Sequence, residues 1–192
     1  MKEFDFEWVI KLERNKLQLM VDMWKEIVAE DNNNGFLSER KIDDYYFRQL
    51  ANDVNAGHKL LLIIKNRNQY LGQMVVNLYH QDTYKHRADV CSLMLLKSAR
   101  SAKTSLLVAD CLIEICENLK LKMITIDVRA GSSQEKLWKF LGFEVYGRMP
   151  HYSRVGDENY EGVFLFQKVE TMRKLLKKRL ENMYLMKKEK IV

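Results

Sequence analysis

Three stretches of this 192-residue chain carry side chains whose type and spacing could do chemistry. The first is Lys97-Ser98-Ala99-Arg100-Ser101-Ala102-Lys103, a short polar run of small and basic residues leading into a long helical pattern from about Thr104. Where a loop enters a helix, unpaired backbone N–H groups and the positive end of the helix dipole converge, and an anion such as a phosphate can be held there. An ordinary strand-to-helix connection is the alternative reading of the same run. The second stretch is Lys85-His86-Arg87-Ala88-Asp89, which offers an imidazole and a carboxylate, the side chains that most often accept a proton. Asp89 reads equally as a solvated strand carboxylate or as an ion-pair partner of Arg87 or Lys85. The third is Tyr146 to Tyr152, with two phenols and His151 around Pro150; an aromatic after a turn is often there for packing. Cys91, Cys111 and Cys116 include no CxxC pair that would suggest zinc, and they read as core residues of a protein from a reducing compartment.

The surrounding periodicities supply the elements that must position these groups. Trp8 to Leu12 alternates as a short strand, and Leu17 to Ala29 repeats apolar residues at helical spacing. Asp31 to Gly35 reads as a loop, and Ser38 opens a second helix with Ile42, Tyr45 or Tyr46, and Leu50 on one face, ending before Gly57. Lys59 to Lys65 and Leu71 to Tyr79 flank the turn Asn66-Arg67-Asn68-Gln69 as a hairpin, and Ala88 to Leu96 is the next strand. The helix from about Thr104 to Leu119 is apolar nearly all round except Asp110, Glu114 and Glu117, a single wet stripe. Met123 to Val128 is a strand, Ser132 or Ser133 caps a short helix through Leu141, and Gly142 ends it. Phe143 to Met149 and Tyr160 to Val169 are expected as the last strands, joined by a loop containing Pro150, Gly156 and Asp157.

With 47% apolar residues, only 8 Gly and 1 Pro, the chain is neither disordered nor collagen-like, and its length suits one domain. No apolar run approaches the roughly 18 residues needed to span a bilayer, and the acidic, aromatic start is unlike a signal peptide. A soluble cytoplasmic protein is the expectation, with no membrane partner. The net charge of +6 is localised: from Lys168 onward nine Lys/Arg face three acids, which leaves the first 167 residues neutral. Residues 1–169 therefore read as one α/β domain and 170–192 as a basic helical extension. There Met172, Leu176, Leu180 and Met183 recur at helical spacing. That stripe is expected to lie on the domain or on a second subunit, as in a homodimer, with its cations in water. Nucleic acid is disfavoured as a partner because the neutral domain adds neither a stacking platform nor a second basic patch.

The element order, with a strand, a short loop and a long buried helix at its centre, resembles the acetyl-CoA-dependent N-acetyltransferase superfamily, the GNAT fold. The likeness runs from about Trp8 to Lys168 and is strongest over residues 126–152, where Leu141-Gly142-Phe143 and Gly147-Arg148-Met149-Pro150-His151-Tyr152 follow a strand, a loop and a short helix. It implies a mixed, mostly antiparallel central sheet flanked by helices, plus the basic C-terminal helix.

The resemblance also implies roles. Arg100, Ser101, Ala102, Lys103, Thr104 and Ser105 match the family's pyrophosphate-binding loop, with Lys103 and Ser105 replacing small residues; Ser105 is a mild change, whereas Lys103 either crowds the phosphates with its Cβ or reaches round to pair with them through its ammonium. Backbone groups of Leu93, Met94 and Leu95 would contact the pantetheine arm and polarise the thioester carbonyl. Asp89, with His86 as the alternative, would take the proton of the attacking amine. Trp138 occupies the place of the tyrosine that protonates the departing thiolate, and an indole N–H cannot do that; Tyr146, Tyr152 or water would have to. His151 and Tyr152 would border the acceptor. The implied activity is acetyl transfer from acetyl-CoA to a primary amine, most simply of a small molecule, by direct attack in a ternary complex. A GNAT-shaped binding or regulatory module without turnover is the alternative that Lys103 and Trp138 favour. The loops Asp31 to Ser38 and Gln81 to Arg87 would shape the acceptor pocket.

Overall fold

The computed structural model describes residues 4–30 and 44–189. Among them are seven strands and five α-helices in a mixed α/β arrangement whose paired strands are mostly antiparallel. The chain divides into two compact units, one of residues 1–100 with 154–159 and the other of residues 101–153 with 160–192. The expected loop Asp31 to Gly35 and the start of the second helix, with Ser38 and Ile42, lie outside the described residues.

In the first unit β1 (Asp5–Val9), β2 (Lys59–Asn66), β3 (Gln69–Leu78) and β4 (Arg87–Leu95) pair in that order, each antiparallel to the next. Leu61, Leu62, Ile63 and Ile64 are wholly buried, so β2 is covered on both faces and reads as a continuous apolar run rather than an alternating one. The turn between β2 and β3 places Arg67 at φ 53°, and the register resumes with Asn66 opposite Gln69. Gly72 is required in β3: a Cβ there would lie 2.5 Å from the Met94 carbonyl oxygen. Helix α1 (Arg14–Glu30) buries Met20, Met23, Trp24, Ile27 and Val28. Helix α2 (Asp44–Asn55) buries Phe47, Leu50 and Val54, while Tyr45 and Tyr46 stay exposed, so its core face is turned from the one that the spacing predicts. Trp24, Tyr46 and Phe47 join the two helices with ring centroids 5.2–5.3 Å apart.

The second unit begins with α3 (Ala102–Asn118), followed by β5 (Met123–Arg129), α4 (Ser133–Phe140), β6 (Glu144–Val155), β7 (Glu158–Lys168) and α5 (Val169–Glu189), with β7 between β5 and β6. The strand expected to stop at Met149 continues through Pro150 to Val155. Pro150 has no N–H to donate, and β6, which among the described residues pairs with β7 alone, is an edge strand where a missing donor is tolerated. His151 beside it adopts φ 54°. Ser132 caps α4, its Oγ accepting from Glu135 N–H at 3.1 Å, and Gly142 ends the segment at φ 96°, a conformation suited to glycine.

The basic C-terminal helix is part of this unit. Met172 and Leu176 are buried, Leu175 reaches Gly142, and Arg173 crosses to α3, where it donates to Asp110 Oδ1 at 2.7 Å and to both Glu117 oxygens at 3.0 and 2.7 Å. Two of the three acids in the wet stripe of α3 are therefore counter-ions of α5. Arg173 holds the Glu117 carboxyl below its ordinary value. A carboxyl depressed by folding adds stability that is complete above its unfolded pKa and is lost as pH falls through the folded one. Arg173→Met is therefore expected to cost roughly 1 kcal/mol near neutral pH. The loss should shrink as Glu117 becomes protonated, which circular dichroism melts across the acid range would show; a deficit independent of pH would mean that Arg173 acts through packing alone.

Candidate functional site

In the first unit β4 carries Asp89, Cys91, Leu93, Met94 and Leu95. Val75 of β3 pairs with Ser92 and Val76 pairs with Val90, so Cys91 is the extra residue of a β-bulge. Cys91 is exposed, contrary to the expectation that all three cysteines lie in the core; the bulge turns it outward. Cys116 is buried and Cys111 half-buried, and burial pushes their thiols up to about 12 and about 11. Upstream of the bulge, half-buried Asp89 accepts a hydrogen bond from the Tyr79 hydroxyl. That bond, with burial adding to it, raises the Tyr79 pKa. The Arg87 guanidinium lies 4.8 Å from the centroid of Tyr79 and 5.2 Å from that of Tyr84, and Lys85 pairs with Asp82 at 2.8 Å. His86 is exposed on the connection from β3, which folds on itself through Tyr84 N–H and Lys85 N–H donating to the Gln81 carbonyl.

Downstream of the bulge, Met94 and Leu95 are buried and Leu93 is half-buried. After a 3-10 turn, Lys97–Ala99, the Arg100 side chain folds back so that its Nε donates to the Leu95 carbonyl at 2.9 Å. Arg100 and Leu93 to Leu95 are thus brought together. Asp89 lies six residues up the strand, about 20 Å away at strand rise.

The second unit opens on the expected anion loop. Ser101 caps α3: its Oγ accepts from Thr104 N–H at 3.0 Å and lies 2.8 Å from Thr104 Oγ1, and Thr104 is wholly buried. Ser105 N–H is taken by the Ser101 carbonyl at 3.0 Å. The N–H groups of Ala102 and Lys103 begin the helix, where no residue of the preceding turn can accept them. The first turn carries no acid, so the positive end of the dipole is undiminished and Lys103 adds to it. This arrangement fits an anionic group, with Ser101 and Thr104 occupied in the cap and Ala102 and Lys103 left to meet it.

Trp138 is 2% exposed and packs edge-on against Phe143 with centroids 4.9 Å apart. It fills the core beneath α4. Tyr146 and Tyr152 lie on β6, not in a loop, and both rings meet Phe164 of β7, at 6.2 and 5.4 Å. Tyr152 sits over Gly162, where a Cβ would collide with its ring, and its hydroxyl donates to Asp127 of β5. Burial, and then the bond to Asp127, push the Tyr152 phenol up. Arg129, two residues on, donates from Nε to Ser153 Oγ at 3.1 Å and stacks 4.8 Å from the Tyr160 centroid. Tyr79, Asp127 and Arg129 are not among the residues the sequence reading selects. Alternation over Met123 to Arg129, with Ile124, Ile126 and Val128 facing inward, is the signal that could have found the last two.

No protein-family model matches the chain. Solved structures do, at low identity. A GNAT-family acetyltransferase from Streptococcus pneumoniae superposes with a TM-score of 0.71 at 11% identity, over 86% of this chain and 99% of the other. The chain has the GNAT fold. A ribosomal-protein-alanine N-acetyltransferase from Brucella melitensis gives 0.69 at 16% identity over 85% of this chain and 99% of that one. A Salmonella typhimurium protein solved with its cofactor acetyl-CoA gives 0.67 at 11% identity over 86% and 94%. Within this GNAT fold Trp138 is a core residue. Trp138→Ala is expected to cost about 3–5 kcal/mol, the usual price of emptying a buried ring site. A urea melt measures it, and a loss below about 1 kcal/mol would show that the surroundings collapse into the space.

Proposed function

We propose that this chain is an acetyl-CoA-dependent N-acetyltransferase acting on a primary amine of a small molecule by direct attack in a ternary complex. The observation that carries this reading is the first turn of α3, free of acids and reinforced by Lys103, directly after a bulged β4 in a chain with the GNAT fold. Acetyl-CoA supplies an acetyl group already activated as a thioester. The N–H groups of Ala102 and Lys103, with the Lys103 ammonium, hold its diphosphate; Ser101, Thr104 and Ser105 shape the turn, and Arg100 precedes it with its side chain folded onto the Leu95 carbonyl. Backbone groups at Leu93, Met94 and Leu95 meet the amides of the pantetheine arm and polarise the acyl carbonyl.

An alkylammonium must lose a proton before it can attack, and Asp89 is assigned to take it. Tyr79 donates to its Oδ2 and fixes the orientation of the carboxylate. His86, exposed on its loop, is the weaker choice. The proton for the departing thiolate falls to Tyr146 or to water, because Tyr152 has committed its hydrogen to Asp127 and losing it would set a phenolate beside a carboxylate. One observation supports a second reading, a GNAT-shaped binding module without turnover: Trp138 closes the place of the usual phenol with a buried indole.

Calorimetry with acetyl-CoA separates the readings from the absence of any site: binding on the order of micromolar is expected. No binding at millimolar ligand would end the enzyme reading. Lys103→Gly is expected to weaken binding about tenfold through loss of the charged contact; tighter binding would instead show that its Cβ crowds the diphosphate. Asp89→Asn is expected to reduce kcat on a primary amine by about 100-fold or more while acetyl-CoA affinity holds. Unchanged kcat would move the base elsewhere, and no turnover by the wild type across an amine panel would favour the binding module.

A further inference from the structure

We propose that the surface shared by α4 and α5 docks single-stranded nucleic acid, with lysines and an arginine meeting the phosphates and Phe140 taking a base. Both helices belong to the second unit. The acetyl-transfer reading uses none of these residues, so the two readings stand or fall separately. The starting observation is a set of charges that folding leaves without counter-ions. On these helices Lys139 is paired with Glu135 at 2.6 Å, Lys174 with Glu170 at 2.6 Å and Arg173 with Glu117 at 2.7 Å. Lys136, Lys177, Lys178 and Arg179 make no ion pair among the described residues, and the three lysines are exposed. Between Lys174 and Met183 the one acid is Glu181.

The four cations surround a ring. Arg179 of α5 lies over Phe140 of α4, its Cζ 4.2 Å from the ring centroid, and its Nη1 has no hydrogen-bond partner. Phe140 is nevertheless 45% exposed. Lys136 stands one turn before Phe140 on the same side of α4, and Lys178 precedes Arg179. A phosphodiester is an anion that lysine and arginine both bind well, and a base freed from a duplex can stack on an aromatic ring or on a guanidinium plane. Cations beside an exposed ring are therefore the parts from which sequence-tolerant binding of a single strand is built. In sequence the basic tail has no ring or second basic patch beside it; folding brings Phe140 and Lys136 to it. A lipid surface fits less well. A helix that lies on a membrane buries its apolar stripe in lipid, whereas Met172 and Leu176 of α5 are already buried in the protein. An acidic protein would use the cations and leave the ring idle, which is the difference the test reads.

The probes are labelled oligouridine and oligothymidine of about ten nucleotides, read by fluorescence anisotropy with the full chain at salt from about 50 to 300 mM. Four neutralised phosphates predict a slope of log affinity against log salt of about −3. Lys136→Ala and Lys178→Ala should each weaken binding at low salt and reduce that slope by about 0.7. Phe140→Leu, which keeps every charge, should weaken binding about fivefold or more with the slope unchanged, and Phe140→Trp should preserve it. Glu181→Gln should tighten binding by removing a charge of the phosphates' own sign. Thermal melts check that each variant is folded. No binding at about 0.1 mM protein in low salt would overturn the proposal. So would binding that Lys136→Ala and Lys178→Ala leave unaltered, since the contact would then lie elsewhere on the chain. Binding that depends on the lysines but not on Phe140 would overturn it in favour of an acidic protein partner. Retention on phosphatidylserine vesicles without affinity for either oligonucleotide would overturn it in favour of a membrane.

Discussion

The register of β3 against β4 is the constraint on which the first unit turns. Gly72 lets the two backbones close at Met94 and Leu95, and the bulge at Cys91 then shifts every residue after it by one position relative to β3. Above the bulge, the pairing of Asn77 with Asp89 sets Asp89 within reach of the Tyr79 hydroxyl. Below it, Leu95 ends the strand where its carbonyl can receive Arg100. One local irregularity thus separates a stretch of β4 that orients a carboxylate from a stretch whose use is its backbone.

In the second unit, glycines do the comparable work by what they lack. Gly142 turns the chain out of α4 and leaves room for Leu175 of α5, while Gly162 leaves room for the ring of Tyr152. Gln167 donates to the Gly142 carbonyl, tying β7 to the same turn. The Glu135 carboxylate receives Gly131 N–H at 2.6 Å and Lys139 at 2.6 Å, which hold its pKa down and fix the entry to α4. The paired aromatics of β6 and β7 are therefore set by backbone geometry at their neighbours, and Asp127 is oriented as a result.

Much of this was legible in the sequence. Period-2 and period-3.6 patterns place most of the described strands and helices to within a few residues, because each has one face or one stripe that must leave water; the first strand, expected from Trp8 to Leu12, lies instead at Asp5–Val9. The stretches that departed from the pattern did so for identifiable reasons. Strand β6 ran on past Pro150 because an unpaired edge tolerates a missing donor, which a proline read as a stop conceals. Cys91 left the core because a bulge has no sequence signature as plain as a turn. Partnerships between distant residues were invisible: neither Tyr79 with Asp89 nor Arg173 with Asp110 and Glu117 follows from spacing, although the stripe of acids on α3 marked where a cation would be welcome.

Pro150 has a further effect, on how molecules of this protein meet in a crowded solution. An unpaired strand edge is a row of donors and acceptors onto which another chain can graft itself, and β6 at 12 residues is long enough to nucleate such growth. Pro150 can donate no hydrogen bond and His151 beside it has a left-handed backbone, two features in mid-strand that work against a continuous ladder along β6. The same prolyl link that resembles a loop in the sequence is thereby a guard against fibre formation.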